Sequence, residues 1–426
     1  MIEPGAWGAI AVFAIALWLV ARWERYRAAF VLGGAVAVIA VGWVPLPSLI
    51  PSGFGGNAGA IDWNTLGLLT GVLLFAALLG ALGLFRAAAY AIARRTGDRP
   101  LALYASLVLL TAVLSAFVNA VAVMILLAAV TLEIIQRLGQ NPIPLLLAEI
   151  AAANIGGTMS LVGNPPNLIL GEYFGYTFID FLQYAAVPAL GALAVTLYLY
   201  SRRVDRTPRE APASAVPFRA EHPPVRSAVA VGAFAVLLVF LSVPAAIGIP
   251  VWLIGVLGGL VALAISFPVY TTRVIRSFDA EIVLFLLGLF ILVGALVGTG
   301  AVSAIADGLA SIGTRNLLVM GSILLWTLAV ASAFIDSVPM AAVAGPLIAR
   351  LSTDTGLSAK PLVFASVLGL GIGGSGTPIG SASNIVALSA ARRAGVTITW
   401  PTYLKRALPY TFAALAIANL LWLFLS

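Results

Sequence analysis

Cysteine is absent from the 426-residue chain, and histidine occurs once, at His222. The first absence excludes disulfides and thiolate metal sites. The second removes the usual base for a serine nucleophile, because His222 lies in a polar stretch beside Pro223 and Pro224. Charge is also scarce: 9% of residues are Asp, Glu, Lys or Arg, against about a quarter in a soluble domain. The chain has no phosphate-binding loop of its own. A cleavable leader is not expected, since Glu3 rather than a basic cluster precedes the first apolar run. No cofactor is implied.

What is present is apolar. Hydrophobic residues make up 62% of the chain and the mean hydropathy is +1.08. Apolar runs recur from Trp7 to Phe424, several near the roughly 20 residues that cross a hydrocarbon core. A soluble protein would need polar outer faces on these helices, and the runs lack them. The chain is read as a multi-pass protein of the cell inner membrane with the lipid bilayer as its solvent. Spans are expected at roughly 6–21, 28–46, 64–85, 144–170, 179–200, 227–243, 250–267, 280–300, 361–390 and 403–425. Bipartite segments at 101–135 and 316–349 interrupt the series.

The net charge of +7 does not point to nucleic acid, because the basic residues sit in short loops between apolar runs. Placing Arg22, Arg25 and Arg27 inside puts all but Arg315, Arg350 and Lys360 of the 23 basic residues on the cytoplasmic side. That is the bias expected of inner-membrane proteins. Both termini are then outside.

A shift of 217 positions lays the second half on the first. Asp62 falls on Asp279, Gly71 on Gly288, and Ser115, Phe117 and Asn119 on Ser332, Phe334 and Asp336. Gly156, Gly157, Gly163 and Asn167 fall on Gly373, Gly374, Gly380 and Asn384 without a gap. Chance alignment of apolar helices would match Leu, Val and Ala, so polar and glycine matches mark a true repeat. The expected fold is an all-α polytopic membrane protein of two inverted-topology repeats. Each has about five spans, one re-entrant hairpin and one broken helix. Residues 1–200 form the first repeat (hairpin 101–135, broken helix 144–170) and 227–426 the second (hairpin 316–349, broken helix 361–390). A cytoplasmic linker, 201–226, joins them. Inverted repeats are a recurrent plan of secondary transporters, with the site between them.

Within each repeat two places resist being ordinary spans. The bipartite segments carry polar centres, Ser115 to Asn119 and Ser332 to Ser337, and read as hairpins with tips near mid-membrane. The stretches Asn154 to Asn167 and Gly373 to Asn384 are rich in Gly, Pro, Asn, Ser and Thr, and unwound backbone is tolerated there only against protein or water. Half-helix ends and free carbonyls suit an anion, a polyhydroxyl solute or Na⁺. The candidate binding residues are Ser115, Asn119, Asn154, Gly156, Gly157, Thr158, Asn164 and Asn167 in the first repeat. In the second they are Ser332, Asp336, Ser337, Gly373, Gly374, Ser375, Thr377, Ser381 and Asn384. Asp336 and then Glu149 are the candidate coupling groups, as ionisable residues at membrane depth. No lysine or arginine is placed in a span core. Gly373-Gly374-Ser375-Gly376 has the spacing of an intramembrane serine protease, but without a histidine base the chain is not read as an enzyme.

Asn154-Ile-Gly-Gly-Thr158 through Asn167, Phe334-Ile-Asp336-Ser-Val-Pro339 and Gly373 through Asn384 resemble the ion transporter superfamily. The resemblance is to its arsenite permease, citrate transporter and P-protein branch. It implies hairpin tips set against broken helices, a homodimer, elevator-like movement and, in some relatives, a soluble ATPase partner. The chain departs from that pattern at Ala120, where relatives often follow the tip asparagine with aspartate. Arsenite or antimonite efflux by proton antiport is the first functional expectation. Sodium/proton antiport and sodium-coupled di- or tricarboxylate transport are the alternatives.

Overall fold

The computed structural model describes residues 4–23, 26–49, 59–96, 99–204, 224–242, 249–310 and 316–426. Glu3, Arg25, His222, Pro223 and Arg315, and residues 205–223 of the expected linker, lie outside them. The long helices among these residues follow the apolar runs, shorter polar ones such as Thr271–Ser277 lie between them, and no strand interrupts the series. Eight helices are long and apolar enough to cross a membrane, and a ninth candidate is bent by 52° between Phe178–Tyr184 (α9) and Ala186–Ser201 (α10). The sequence suggests a straight span there.

The third span of each half fixes the frame. Helix α3 (Trp63–Ala81) is N-capped by Asp62, which accepts from Thr65 N at 3.1 Å. Helix α14 (Ala280–Gly298) is N-capped by the repeat-related Asp279, which accepts from Ile282 N at 3.2 Å. Each ends at a left-handed glycine, Gly83 (φ 66°) or Gly300 (φ 78°), a conformation that an L side chain resists. The short helices that follow, α4 (Leu84–Thr96) and α15 (Ala301–Ala310), were not separated from the spans or loops in the sequence. Helix α3 packs on α12 (Val251–Ser266), and α14 packs on α2 (Arg27–Ala40), so each half supplies the partner of the other. Gly71 meets the Gly255 backbone and Gly288 the backbone of Val31 and Leu32. Small residues permit such approach where lipid, being as apolar as leucine, gives no hydrophobic drive.

The bipartite segments are helical hairpins. Arms α5 (Pro100–Phe117) and α6 (Ala120–Arg137) are joined by Val118 and Asn119. Arms α16 (Leu317–Phe334) and α17 (Ser337–Thr355) are joined by Ile335 and Asp336. Beside them run two broken helices. One is α7 (Pro142–Thr158) and α8 (Pro165–Phe174). The other is α18 (Ala359–Gly373) and α19 (Ala382–Arg393), with one 3₁₀ turn at Gly374–Gly376. Each inner arm lies along its own broken helix, α5 on α7 and α16 on α18. Each outer arm lies along the second piece of the other broken helix, α6 on α19 and α17 on α8. The two repeats are therefore interlocked. The terminal helix α20 (Trp400–Leu425) packs on α10 and α18.

Candidate substrate and ion site

The hairpin tips end at the breaks, and the 217-residue offset reappears there bond for bond. Gly156 rests on the Ala112 backbone and Gly373 on that of Ala329. Ser160 Oγ donates to Ala116 O, and Thr377 Oγ1 donates to Ala333 O. Asn167 Nδ2 donates to Gly157 O at 2.8 Å and Ser160 O at 2.6 Å. Asn384 Nδ2 donates to Gly374 O at 2.7 Å and Thr377 O at 2.8 Å. These two amides hold the unwound segments in shape. A break between a 17-residue and a 10-residue helical piece lies partway along the span, and the tip that reaches it is re-entrant.

The breaks meet each other as well. Asn154 Nδ2 donates to Asn384 Oδ1 at 2.9 Å and to Ile150 O at 2.8 Å, with Ser383 Oγ at 3.4 Å. Thr158 donates to Ile155 O at 2.6 Å, and its methyl group fills the space beside Gly371. Ser375 donates to Ile372 O at 2.7 Å, lies 3.0 Å from Thr411 Oγ1, and accepts at its carbonyl from Tyr403 OH at 2.9 Å. Ser381 and Ser383 share a 2.9 Å contact, and Ser332 donates to Leu370 O at 2.6 Å. Asn384 thus makes three hydrogen bonds of 2.9 Å or less, beside a 3.4 Å contact from Ser383 Oγ, where Asn167 makes two. Asn384→Ala is expected to cost about 3 kcal/mol of stability and Asn167→Ala about 2, at roughly 1 kcal/mol per bond. Unfolding of the detergent-solubilised variants checks that order.

Other candidate groups retain hydrogen-bonding capacity. Ser115 is fully buried and its Oγ has no partner among the described residues. Asn119 caps α6, accepting from Val121 N at 2.8 Å, and Asp336 caps α17 likewise from Val338 N at 3.1 Å. Asn164 precedes α8 with its amide against Gly157, and Ser337 opens α17 half-buried. Glu149 is fully buried 2.9 Å from Thr131 Oγ1, away from the tips.

Two groups escaped the sequence reading. Arg27, placed in a loop, is only 13% exposed in its side chain. It pairs with Asp279 at 3.2 Å and Glu281 at 3.7 Å, and its charge reaches Asp336. Glu172 on α8 is buried within electrostatic range of Asp62. Its place five residues beyond Asn167, on an apolar helix, was the available signal.

Two cavities approach this region at opposite ends of α3 and α14. One, about 630 Å³, reaches Asn119 and is lined by Ala76, Ala77, Gly80, Ala81, Ser277 and Asp279. The other, about 690 Å³, is lined by the repeat-related Val293, Gly294, Val297, Gly298, Ala60 and Asp62. The first also carries Arg86, Arg273 and Arg276, whose repeat-related residues in the sequence are Ser303, Gly56 and Gly59. The first cavity opens on the Asn119 tip, and the second stops at Ile169 and Tyr173 of α8 and Ala342 and Pro346 of α17.

Comparison with known proteins agrees with this architecture. An uncharacterized transporter of Mycobacterium tuberculosis is 31% identical over 433 residues, covering 97% of each chain. An arsenical pump membrane protein of Escherichia coli is 26% identical over 369 residues, covering 84% of this chain and 85% of its own. The crystal structure of the Alcanivorax borkumensis YdaH transporter superposes with a TM-score of 0.62 over 85% of both chains, at 15% identity, which speaks for the fold. The model of the CitMHS citrate transporter family matches residues 15–369, a stretch that contains both hairpins and the first broken helix. With its interlocked hairpins, broken helices and paired cavities, this chain is a membrane transporter belonging to the citrate transporter family.

Proposed function

We propose that the chain exports arsenite or antimonite in exchange for protons. The hairpins and broken helices shift, elevator-like, past α3 and α14. The observation that carries this reading is the chemistry where tips and breaks meet. Amides, hydroxyls and carbonyls converge there with a single tip carboxyl, Asp336, and no basic side chain from Ser115 to Val121, Asn154 to Asn167, Ser332 to Pro339 or Gly371 to Asn384. A neutral trihydroxide needs hydrogen-bond partners rather than a fixed cation. The name borne by the Escherichia coli relatives supports the same cargo. In this reading residues 1–200 and 227–426 are the two repeats, and 201–226 link them. The arginine-bearing cavity faces the cytoplasm of the inner membrane, both termini face outward, and two copies form the working unit.

A di- or tricarboxylate is the second reading. Arg86, Arg273 and Arg276 around one cavity favour it, as does the family description. Purified protein in liposomes holding a trapped pH dye separates the two. Arsenite is expected to drive a proton flux, and citrate and NaCl none. A flux with citrate would move the assignment to the second reading, and one with NaCl alone to sodium/proton antiport.

A further inference from the structure

Glu149 sits where three helices meet. It belongs to α7 and is fully buried. Its Oε2 lies 2.9 Å from Thr131 Oγ1 on the outer arm of the first hairpin. Its Oε1 lies 3.5 Å from Thr111 Oγ1 on the inner arm. One carboxyl therefore ties both arms to the broken helix.

The hydrogens around it can be counted. Each threonine hydroxyl has one hydrogen, and each already has an acceptor one turn back, Leu107 O at 3.0 Å or Leu127 O at 3.0 Å. The one Thr131 hydrogen serves either Leu127 O or Glu149 Oε2; a protonated Glu149 gives its own hydrogen to Thr131 Oγ1 and lets both bonds form, so the protonated latch holds one hydrogen bond more than the carboxylate. Without that proton, Thr131 must turn away from its carbonyl, and Thr111 at 3.5 Å is too distant to serve the second oxygen well. A buried carboxylate would then have one neutral donor and no cation.

The neighbours offer no substitute charge. From α5 the titratable group within electrostatic range is Tyr104. Tyr200 of α10 and Tyr410 of α20 lie around that phenol. On α6, Glu133 is engaged with Arg137 at 2.7 Å and Tyr90 at 3.0 Å. No lysine or arginine among the described residues pairs with Glu149. The second repeat lacks the arrangement: at the positions of Thr111, Thr131 and Glu149 it has Leu328, Ile348 and Ser366, and Ser366 donates to Leu362 O at 2.8 Å. Only the first repeat carries this carboxyl, and its partner Thr111 stands eight residues before the hairpin tip at Asn119.

We propose that Glu149 is a proton site that latches the first hairpin, closed against α7 when protonated and released when the proton leaves for water. The second hairpin has no such latch, so proton release opens one tip and not the other. The inference rests on the first hairpin being a gate and does not depend on the cargo.

The absence of native cysteine makes the test direct. Ala120→Cys, buried at the tip in this structure, is introduced alone into the full chain and reconstituted in liposomes. A charged methanethiosulfonate reagent is then reacted with it between pH 5.5 and 8.5, with and without Glu149→Gln. The rate with Glu149 divided by the rate with Gln cancels the titration of the thiol itself. That ratio is expected to rise with pH by up to about tenfold per unit, the limit for a one-proton equilibrium. A ratio that stays flat across the range overturns the latch, whatever the liposome flux assay says about cargo. Should Glu149→Gln not fold, Thr131→Val replaces it: fast labelling at low pH, restored to slow by Thr131→Ser, is the expected result. Slow labelling in Thr131→Val at low pH sinks the proposal equally.

Discussion

Asp336→Asn is expected to reduce cargo-driven proton movement to the level of empty liposomes while leaving the purified protein folded. The chain contains its own control for this substitution. At the repeat-related position the first hairpin already has asparagine, and Asn119 caps α6 through Val121 N just as Asp336 caps α17 through Val338 N. Aspartate and asparagine are comparable N-caps, so the tip keeps its geometry and the melting temperature should move little. What is lost is the ionisable group, the only carboxyl at either tip. Flux with a pH dye and thermal unfolding of the same preparation measure the two halves of the prediction. A variant that still moves protons would shift coupling to Glu149, and one that unfolds would make the Asp336 carboxylate a structural cap.

The features that place these groups were largely written in glycine, proline and asparagine. A helix that includes Gly156, Gly157, Gly163 and two prolines cannot remain continuous, and the matching run from Gly373 to Asn384 breaks for the same reason. The repeat was legible because its conserved matches are polar, and it reappears as paired hydrogen bonds from Asn167 and Asn384. What these residues do was less legible. Both amides read as ligands for a solute, and both direct their hydrogens to carbonyls of the unwound segment. Composition announces an unwound segment but not which of its polar groups the backbone itself consumes. The burial of Arg27 and the two cavities arise between helices far apart in the chain, and no local pattern carries them, whereas Glu172 had the apolar helix around it as a signal. Gly83 and Gly300 were visible as letters, but their role as stop signals depends on a left-handed turn that only the backbone reveals.

The strongest effect on the fold should come from glycines that look alike in sequence and differ only in what lies above them. A methyl group at Gly373 would run into the Cα, carbonyl carbon and oxygen of Ala329, and at Gly156 into the same atoms of Ala112. These obstacles are backbone, so no rotamer change relieves them, and the hairpin's inner arm must move off the broken helix. The bonds from Ser160 to Ala116 and from Thr377 to Ala333 lie one turn beyond and would open with it. Overpacking of this kind costs about 1–3 kcal/mol for small additions and more for large ones. Gly33 in α2 and Gly232 in the helix Pro224–Phe240 have nothing within 4 Å of such a methyl group. There the helix preference of alanine over glycine, about 1 kcal/mol, acts unopposed. Gly156→Ala and Gly373→Ala are therefore expected to melt several degrees below the parent protein, and Gly156→Leu and Gly373→Leu to be lost from the membrane fraction. Gly33→Ala and Gly232→Ala should melt at or above the parent temperature. Thermal unfolding followed by size exclusion in detergent reads the sign at each site. If the two groups shifted alike, the close approach of hairpin and broken helix would not be what holds the tips at the breaks.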